Sequence, residues 1–484
     1  MINWKITLRL LAFPIIWMGV VQLVFAALSL FIFKDRVISA FLIPGATMIS
    51  VALVLLINLR KTDLTAATFR DALIYATVTW IIAGVLGAIP ILVVTGVNFI
   101  DAVFESISAL TTTGATVLSG LDNMPASFLL YRQFLQWMGG LGIVIFVVAI
   151  LPMLNIGGMK LLKAETPGPI KDEKLTPRVA STAHYLWGVY LAITVLCTLA
   201  YYAGGMSFYD AIAHAFTTVS TGGFSTHDAS MWYYHSHLLL WIANVFMLAG
   251  AINFALHFKV AHKRAITSYY HDEETRYFIY IVVLLSVLLT TMLLLKDSYS
   301  NVLEAFSFST FHIISFITST GYGAASFTDW PAEAGFLLVI AGYLGGCAGS
   351  TAGGNKIIRN IIVGKMINNN IKQLLHPRAI FTLKYQGSPV KEDVRHAIMA
   401  FMTFAVGSSL LFTMLLMATG LDFWSAFTAV AACVNVLGPG FGEVGANFQP
   451  VSDTGIWILS VAMIVGRLEY FTVFTLFTHS FWKK

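Results

Sequence analysis

The sequence predicts an all-α polytopic membrane protein, with two N-terminal helices followed by four pseudosymmetric helix–pore loop–helix repeats around a central axis. Three observations predict it. First, the 484-residue chain is 57% hydrophobic and only 11% charged. A soluble domain carries about 25% charged residues, so most of this surface must meet lipid. Second, apolar stretches near 8–33, 38–57, 72–99, 129–154, 185–203, 237–256, 277–295, 333–348, 397–421 and 454–466 run the length of the chain. Several reach the roughly 20 residues needed to cross a bilayer. Third, one short segment recurs four times. It reads Thr-Thr-Thr-Gly-Ala at 111–115, Val-Ser-Thr-Gly-Gly at 219–223, Thr-Ser-Thr-Gly-Tyr-Gly at 318–323 and Asn-Val-Leu-Gly-Pro-Gly-Phe-Gly at 435–442.

Residues 1–62 hold the helix pair and no such segment. The first apolar run is too long for a signal-peptide core, lacks an obvious small-residue cleavage site and leads directly into a second run. It reads as a retained helix. Four units follow, at 70–155, 184–262, 275–365 and 393–480, each a helix, a short amphipathic segment, a glycine-containing segment and a helix. The short segments 101–111, 209–219, 301–318 and 422–435 are too short or too polar to span alone, so each fits a re-entrant helix. Ten spanning helices with four re-entrant loops put both termini on one side.

The net charge of +5 is unevenly placed. Arg60, Lys61 and Arg70 mark one connector, and Lys160, Lys163, Lys171, Lys174 and Arg178 a second. Lys259, Lys263, Arg264 and Arg276 mark a third, and Lys365, Lys372, Arg378, Lys384, Lys391 and Arg395 a fourth. The positive-inside rule makes these connectors cytoplasmic. Lys5 and Arg9 near the N-terminus and Lys483-Lys484 at the C-terminus fall on the same side. The opposite side has few basic residues, among them Lys34, Arg36, Arg132 and Lys296. Topology explains the basic residues, so lipid is the expected partner and nucleic acid is not.

Irregular backbone cannot face lipid, because its polar groups would go unpaired; it is tolerated where it lines a water-filled cavity. Four Thr/Ser-Gly runs beside short helices therefore predict a central pore. Glycine adopts backbone angles that other residues resist, and inward-facing carbonyls can replace the hydration shell of a cation. The third segment, Ser-Thr-Gly-Tyr-Gly, approaches the potassium-channel filter signature Thr-Val-Gly-Tyr-Gly. The expected K+ filter comprises Thr112, Thr113 and Gly114, then Ser220, Thr221 and Gly222, then Ser319, Thr320 and Gly321, then Val436, Leu437 and Gly438. The central glycines 114, 222, 321 and 438 lie 108, 99 and 117 residues apart. The fourth segment departs most from the signature, with Val436, Leu437 and Pro439, so equal contributions from all four repeats are not expected. Tyr322 is expected to buttress the filter, with its carbonyl as the coordinating group.

Asp101, Glu105, Asp210, Glu304 and Asp422 begin or occupy the short helices. They can cap exposed N–H groups or concentrate cations at an outer mouth. Residues 345–354 read Gly-Gly-Cys-Ala-Gly-Ser-Thr-Ala-Gly-Gly, five of the ten being glycine. Each interior glycine weakens a helix by about 1 kcal/mol, so the second helix of the third repeat is interrupted there. The run suits close helix packing through small residues or a mobile loop. Arg467 stands in an apolar helix, where an ionisable residue is costly and faces protein or water. It can pair with Glu469 or lie in the pore. Lys356 and Arg359, just past the glycine-rich run, can anchor its continuation or simply end a crossing helix. His235, His237, His257 and His262 bring no convincing metal partners. Cys197, Cys347 and Cys433 sit at membrane depth and read as structural. The tryptophans fit interface anchoring or helix packing. No catalytic constellation and no organic cofactor site is recognised.

On the four segments Thr-Thr-Gly-Ala (112–115), Ser-Thr-Gly-Gly (220–223), Ser-Thr-Gly-Tyr-Gly (319–323) and Gly-Pro-Gly-Phe-Gly (438–442), the chain resembles the TrkH/KtrB family of bacterial potassium-uptake proteins. With its extra N-terminal helix pair it is most similar to the TrkH branch, and the resemblance covers nearly the whole chain. It implies a fourfold pseudosymmetric subunit with its own pore in the bacterial cytoplasmic membrane. It also implies a homodimer and a cytosolic TrkA-type nucleotide-binding regulator. Members favouring sodium can carry serine at the first filter position; glycine at 114 here implies potassium. The resemblance further implies that Gly345, Gly346, Gly349, Ser350, Thr351, Gly353 and Gly354 form a mobile gate loop beneath the filter, and that Arg467 is the family's pore arginine. Gated K+ permeation is the leading expectation, with K+ as the bound and transported ion. The alternative is symport obligatorily coupled to H+ or Na+.

Overall fold

The computed structural model describes residues 3–140, 142 and 179–483. The basic connector from Lys160 to Arg178 and the end of the first repeat, from 143 to 155, lie outside the described residues. The two N-terminal helices, Trp4–Leu28 and Ile38–Asn58, are joined by a π-helical turn at Ser29–Phe33. They cross where Gly19 meets Gly45: a Cβ on Gly45 would lie 3.0 Å from the Gly19 carbonyl oxygen. Small residues of this kind let helices approach closely in lipid.

Each repeat opens with a long helix, namely Phe69–Thr95, Val179–Ala203, Glu273–Leu295 and Glu392–Met417. A short helix follows, namely Phe99–Leu110, Phe208–Val219, Val302–Ile317 and Phe423–Val434. The short helices start on polar N-caps: Asn98, Ser207, Asn301 and Asp422 each accept a first-turn backbone N–H. Of the acids singled out above, only Asp422 is itself the cap. Asp101, Asp210 and Glu304 sit in the first turn, where they favour the positive end of the helix dipole, and Glu105 lies deeper.

Among the described residues, six helices are long and apolar enough to cross a membrane: Trp4–Phe33, Ile38–Asn58, Arg70–Thr95, Tyr185–Ala203, Glu273–Leu295 and Glu392–Met417. With this architecture the chain is a multi-pass, all-α membrane protein. The second helices of the repeats differ from expectation. The first is described as Ala126–Gly140, up to the limit of the described residues, whereas His237–Ala251, Ala332–Leu344 and Asp453–Arg467 have 13 to 15 residues. At 1.5 Å per residue they fall short of a bilayer core of about 30 Å. The glycine-rich run was expected to break the third repeat, and the second and fourth also break. His237–Ala251 and Phe254–Lys263 meet at 97°, because Asn253 caps a new helix by accepting the Ala255 N–H. Asp453–Arg467 gives way to Phe471–Leu476 through Glu469 at φ +55°. Neither break carries a glycine run, so neither was legible.

In the third repeat the chain resumes as Ile357–Leu375 and then turns through a small hairpin, β1 (Lys384–Tyr385) and β2 (Ser388–Pro389). Gln386 and Gly387 at its tip have φ +48° and +79°, as a two-residue type I′ turn requires.

Candidate functional site

The four short helices end at Thr111, Ser220, Thr318 and Asn435, and each runs into a loop of the same backbone pattern. The N–H of Thr113, Gly222, Thr320 and Leu437 reaches back to the carbonyl of Ser108, Thr217, Ser315 and Ala432, at 2.7–2.8 Å. The residue before is left-handed in every case: Thr112 (φ +59°), Thr221 (+54°), Ser319 (+54°) and Val436 (+56°). The residue after is a left-handed glycine: Gly114, Gly223, Gly321 and Gly438.

This pattern corrects the register of the second segment. Gly223, not Gly222, matches the other central glycines, and Gly222 takes the place of Thr113, Thr320 and Leu437. Aligning on the shared Ser-Thr-Gly text hid the shift, because two glycines are adjacent there. All four central positions remain glycine.

The loops close into a ring. A Cβ on Gly114 would run into the Gly222 carbonyl oxygen, one on Gly223 into Thr320, one on Gly321 into Leu437 and one on Gly438 into Thr113. Each central glycine thus abuts the carbonyl of the next repeat, in the order first, second, third, fourth, first. No side chain fits at any of these contacts, and positive φ separately disfavours one.

Polar side chains brace the ring from behind. Tyr322 is fully buried, as expected of a buttress. Its hydroxyl lies 2.5 Å from Thr217 Oγ1, 3.1 Å from Thr218 Oγ1 and 3.1 Å from the His214 carbonyl, tying the third repeat to the second. Its carbonyl accepts a hydrogen bond from its own repeat. Ser315 Oγ donates to it at 2.8 Å, as Ser108 Oγ donates to Ala115 at 2.6 Å. Each of these two carbonyls is thus bonded to its own short helix.

Sequence reasoning missed an ion pair behind the first loop. Arg132, taken for an outer-surface charge, is 1% exposed and paired with Glu105. The Glu105 carboxylate also accepts the Val117 N–H at 3.1 Å and the Thr116 hydroxyl at 3.0 Å, and the guanidinium lies 4.0 Å from the Phe224 ring centroid. Two opposite charges in apolar helices were the available signal.

Directly beneath the ring lies the glycine-rich run, irregular from Gly345 to Lys356. Gly345, Gly349 and Gly354 have φ of +72° to +74°. The Gly353 N–H donates to Ser319 Oγ at 2.6 Å and the Gly354 N–H to the Asn435 carbonyl at 3.2 Å. The Thr351 hydroxyl donates to the carbonyls of Gly250 (2.9 Å) and Val219 (3.1 Å), and Thr221 Oγ1 lies 3.2 Å from it. Ser350 Oγ donates within the loop, to the Cys347 carbonyl at 2.6 Å. Gly346 packs against Ala352 and Ala251. The loop therefore touches the first ring residues of the second and third repeats and the C-cap of the fourth.

A second missed residue holds both ends of this loop. Glu274 is 4% exposed, and its Oε1 accepts the N–H of Ala348 at 2.8 Å and of Ile358 at 3.0 Å. Arg467 ends its helix beside the loop. Its Nη1 donates to the Thr351 carbonyl at 3.1 Å, and its Nη2 to the carbonyls of Gly139 at 2.5 Å and Gly140 at 3.1 Å. The alternative partner, Glu469, is engaged by Arg359, whose Nη2 donates to both carboxylate oxygens at 2.8 and 2.9 Å. Arg359 also lies 3.7 Å from the Phe401 ring centroid, so it anchors the helix after the loop to the fourth repeat. The Lys356 ammonium folds back onto the Ala352 carbonyl.

At the opposite end, His227 joins the outer loops of two repeats. Its Nδ1 lies 2.5 Å from Asp122 Oδ1, its Nε2 lies 3.6 Å from Asp210 Oδ1, and the Tyr233 ring stacks on it. Burial disfavours its charged form, but the nearby Asp210 carboxylate and the hydrogen bond to Asp122 outweigh that and hold the imidazole above its usual pKa. Burial also opposes the charge of Asp122, yet its bond to His227 leads the effects that hold it below the carboxylate range.

The chain is similar to known proteins. The family model TrkH, cation transport protein, matches residues 37–484. The Trk system potassium uptake protein TrkH of Vibrio parahaemolyticus is 45% identical over 418 residues, covering 86% of each chain. The protein of the same name from Escherichia coli K12 is 39% identical over 417 residues, again 86% of each. The crystal structure of the potassium transporter TrkH from Vibrio parahaemolyticus superposes with a TM-score of 0.89 at 38% identity, covering both chains fully. These relatives are named as transport proteins, not enzymes. The chain belongs to the TrkH family of cation transport proteins.

Proposed function

We propose that this chain carries K+ across the bacterial cytoplasmic membrane through a gated, channel-like pore, passively and down the electrochemical gradient. The observation that carries the reading is the closed ring of four left-handed glycines, each against the next repeat's carbonyl. Rings of backbone carbonyls replace the hydration shell of K+. Those of Thr113, Gly222, Thr320 and Leu437, with the residues before them and the glycines after them, form the filter; Gly223 joins the set. The Thr112 hydroxyl is buried without a hydrogen-bond partner, as suits a group reserved for an ion. Four short helices aim their C-terminal ends at the ring, and the negative dipole end favours a cation there.

The glycine-rich loop and Arg467 form the gate. Loop and guanidinium together bridge all four repeats beneath the ring, and a fixed positive charge there opposes cation passage. Passive permeation is favoured over coupled symport because the buried acids Asp71, Glu105 and Glu274 are engaged in structural contacts. The relatives' naming as potassium uptake proteins fits this reading. So do a homodimer, a cytosolic TrkA-type nucleotide-binding regulator and cytoplasmic termini, which follow from the family and the basic connectors.

The test is K+ flux in liposomes for Gly321→Ala. A Cβ at this position meets the Leu437 carbonyl and Pro439, so the expected result is lost flux or lost selectivity with assembly retained. Parent flux and parent selectivity would remove the ring from the permeation path.

A further inference from the structure

The four loops are not equivalent at the level of the ring carbonyls. In three of them a side chain wedges the loop from behind. Thr113 Oγ1 lies 2.8 Å from Thr111 Oγ1, Thr320 Oγ1 lies 2.8 Å from Thr318 Oγ1, and Leu437 is 1% exposed and packs against Gly342. The second loop has Gly222 there and no side chain. The vacant place is filled by Gln136, from the second helix of the first repeat, which is 0% exposed. Its Nε2 donates to the Gly222 carbonyl at 2.7 Å and its Oε1 accepts the Phe224 N–H at 3.1 Å. A Cβ on Gly222 would lie 2.5 Å from the Gln136 Cδ. Side chain and glycine are therefore mutually exclusive fillings of one space. Among the described residues, Gly222 is the one ring carbonyl of the four that receives a side-chain donor.

We propose that Gln136 is a specificity-determining residue of the pore. Its amide fixes the Gly222 carbonyl in the ring, replacing the side-chain wedge that fixes the other three. Cation discrimination depends on the number and the field of the carbonyls presented to the ion. A carbonyl that already accepts an N–H is held in place and presents a weaker field than its three counterparts. Discrimination between K+ and Na+ therefore rests on an amide outside all four loops. This inference rests on the reading of the ring as an ion filter.

The experiment measures reversal potentials in liposomes under opposed K+ and Na+ gradients. Gln136→Ala lowers the K+/Na+ permeability ratio by about fivefold, the equivalent of one net hydrogen bond. Gln136→Met, which keeps the bulk but has no donor, lowers it likewise and serves if the alanine variant does not assemble. Adding Gly222→Thr to Gln136→Ala recovers the ratio, because threonine then fills the place as it does at 113 and 320. Gly114→Ser is the control, altering the ratio whatever Gln136 does if the ring is the filter. A parent ratio in both Gln136 variants with an altered ratio in Gly114→Ser overturns the role of Gln136 alone. A parent ratio in Gly114→Ser overturns the filter reading beneath it.

Discussion

Arg467 Nη1 donates to the Thr351 carbonyl at 3.1 Å, joining the end of the fourth repeat's second helix to the glycine-rich loop of the third. The same guanidinium reaches Gly139 and Gly140 of the first repeat. One side chain thus gathers three repeats at the level where the second helices break.

Removing that side chain should loosen the loop and withdraw the charge from the ion path. Arg467→Ala is expected to raise basal K+ flux by about tenfold or more, since hydrogen bonds from a charged group contribute about 1.5–3 kcal/mol each. Flux assays at matched surface expression check it. Unchanged flux would sink the gate assignment.

Glu274 binds both ends of the loop through one carboxylate oxygen. Glu274→Ala should free the loop, whereas Glu274→Gln keeps an acceptor and should hold it. Cys347, fully buried within the loop, reports the difference. Its modification by a thiol reagent should accelerate at least about tenfold in the alanine variant and little in the glutamine one. Equal rates in all three proteins would argue against the clasp.

The buried Arg132–Glu105 pair should show strong non-additivity. Arg132→Met leaves Glu105 buried and uncompensated, at a cost of about 3–5 kcal/mol. Arg132→Met with Glu105→Leu removes both charges and should cost less than either single change. Thermal unfolding in detergent gives the comparison, and simple additivity would show that the two charges do not act as a pair.

His227 predicts a pH dependence at the outer face. Its pKa is raised in the folded protein, so its contribution is complete below the free-imidazole value of about 6.5 and fades as pH rises through the raised value. The groups facing it are Asp122 and Asp210, with His214, Tyr233 and Tyr234 behind. The site is partly solvated, so the effect stays under about 1 kcal/mol. His227→Gln should lower the melting temperature at pH 6 and converge with the parent at pH 9. A gap that widens with pH would contradict the charged pairing.

The long apolar helices and the four loops were legible because each leaves a local trace, a run of lipid-facing residues or a glycine where a side chain cannot fit. Gly114, Gly321 and Gly438 could be aligned by eye. Gly223 could not, since its register depends on the bond from the Gly222 N–H to the Thr217 carbonyl, and Gly222 beside it reads the same. The breaks at Asn253 and Glu469 were hidden because each turns on a single cap or dihedral. Glu274, Gln136 and the pairing of Arg132 with Glu105 were hidden for another reason. Their partners lie 27 to 88 residues away, and only the closure of the ring brings them together.

The most direct test of passive K+ permeation is the reversal potential of purified protein in liposomes, parent and Arg467→Ala, across imposed K+, Na+ and pH gradients. The account predicts a potential that follows the K+ gradient, ignores pH, and carries more current in the Arg467 variant. A potential that shifts in fixed ratio with the proton or sodium gradient would contradict it and establish coupled symport.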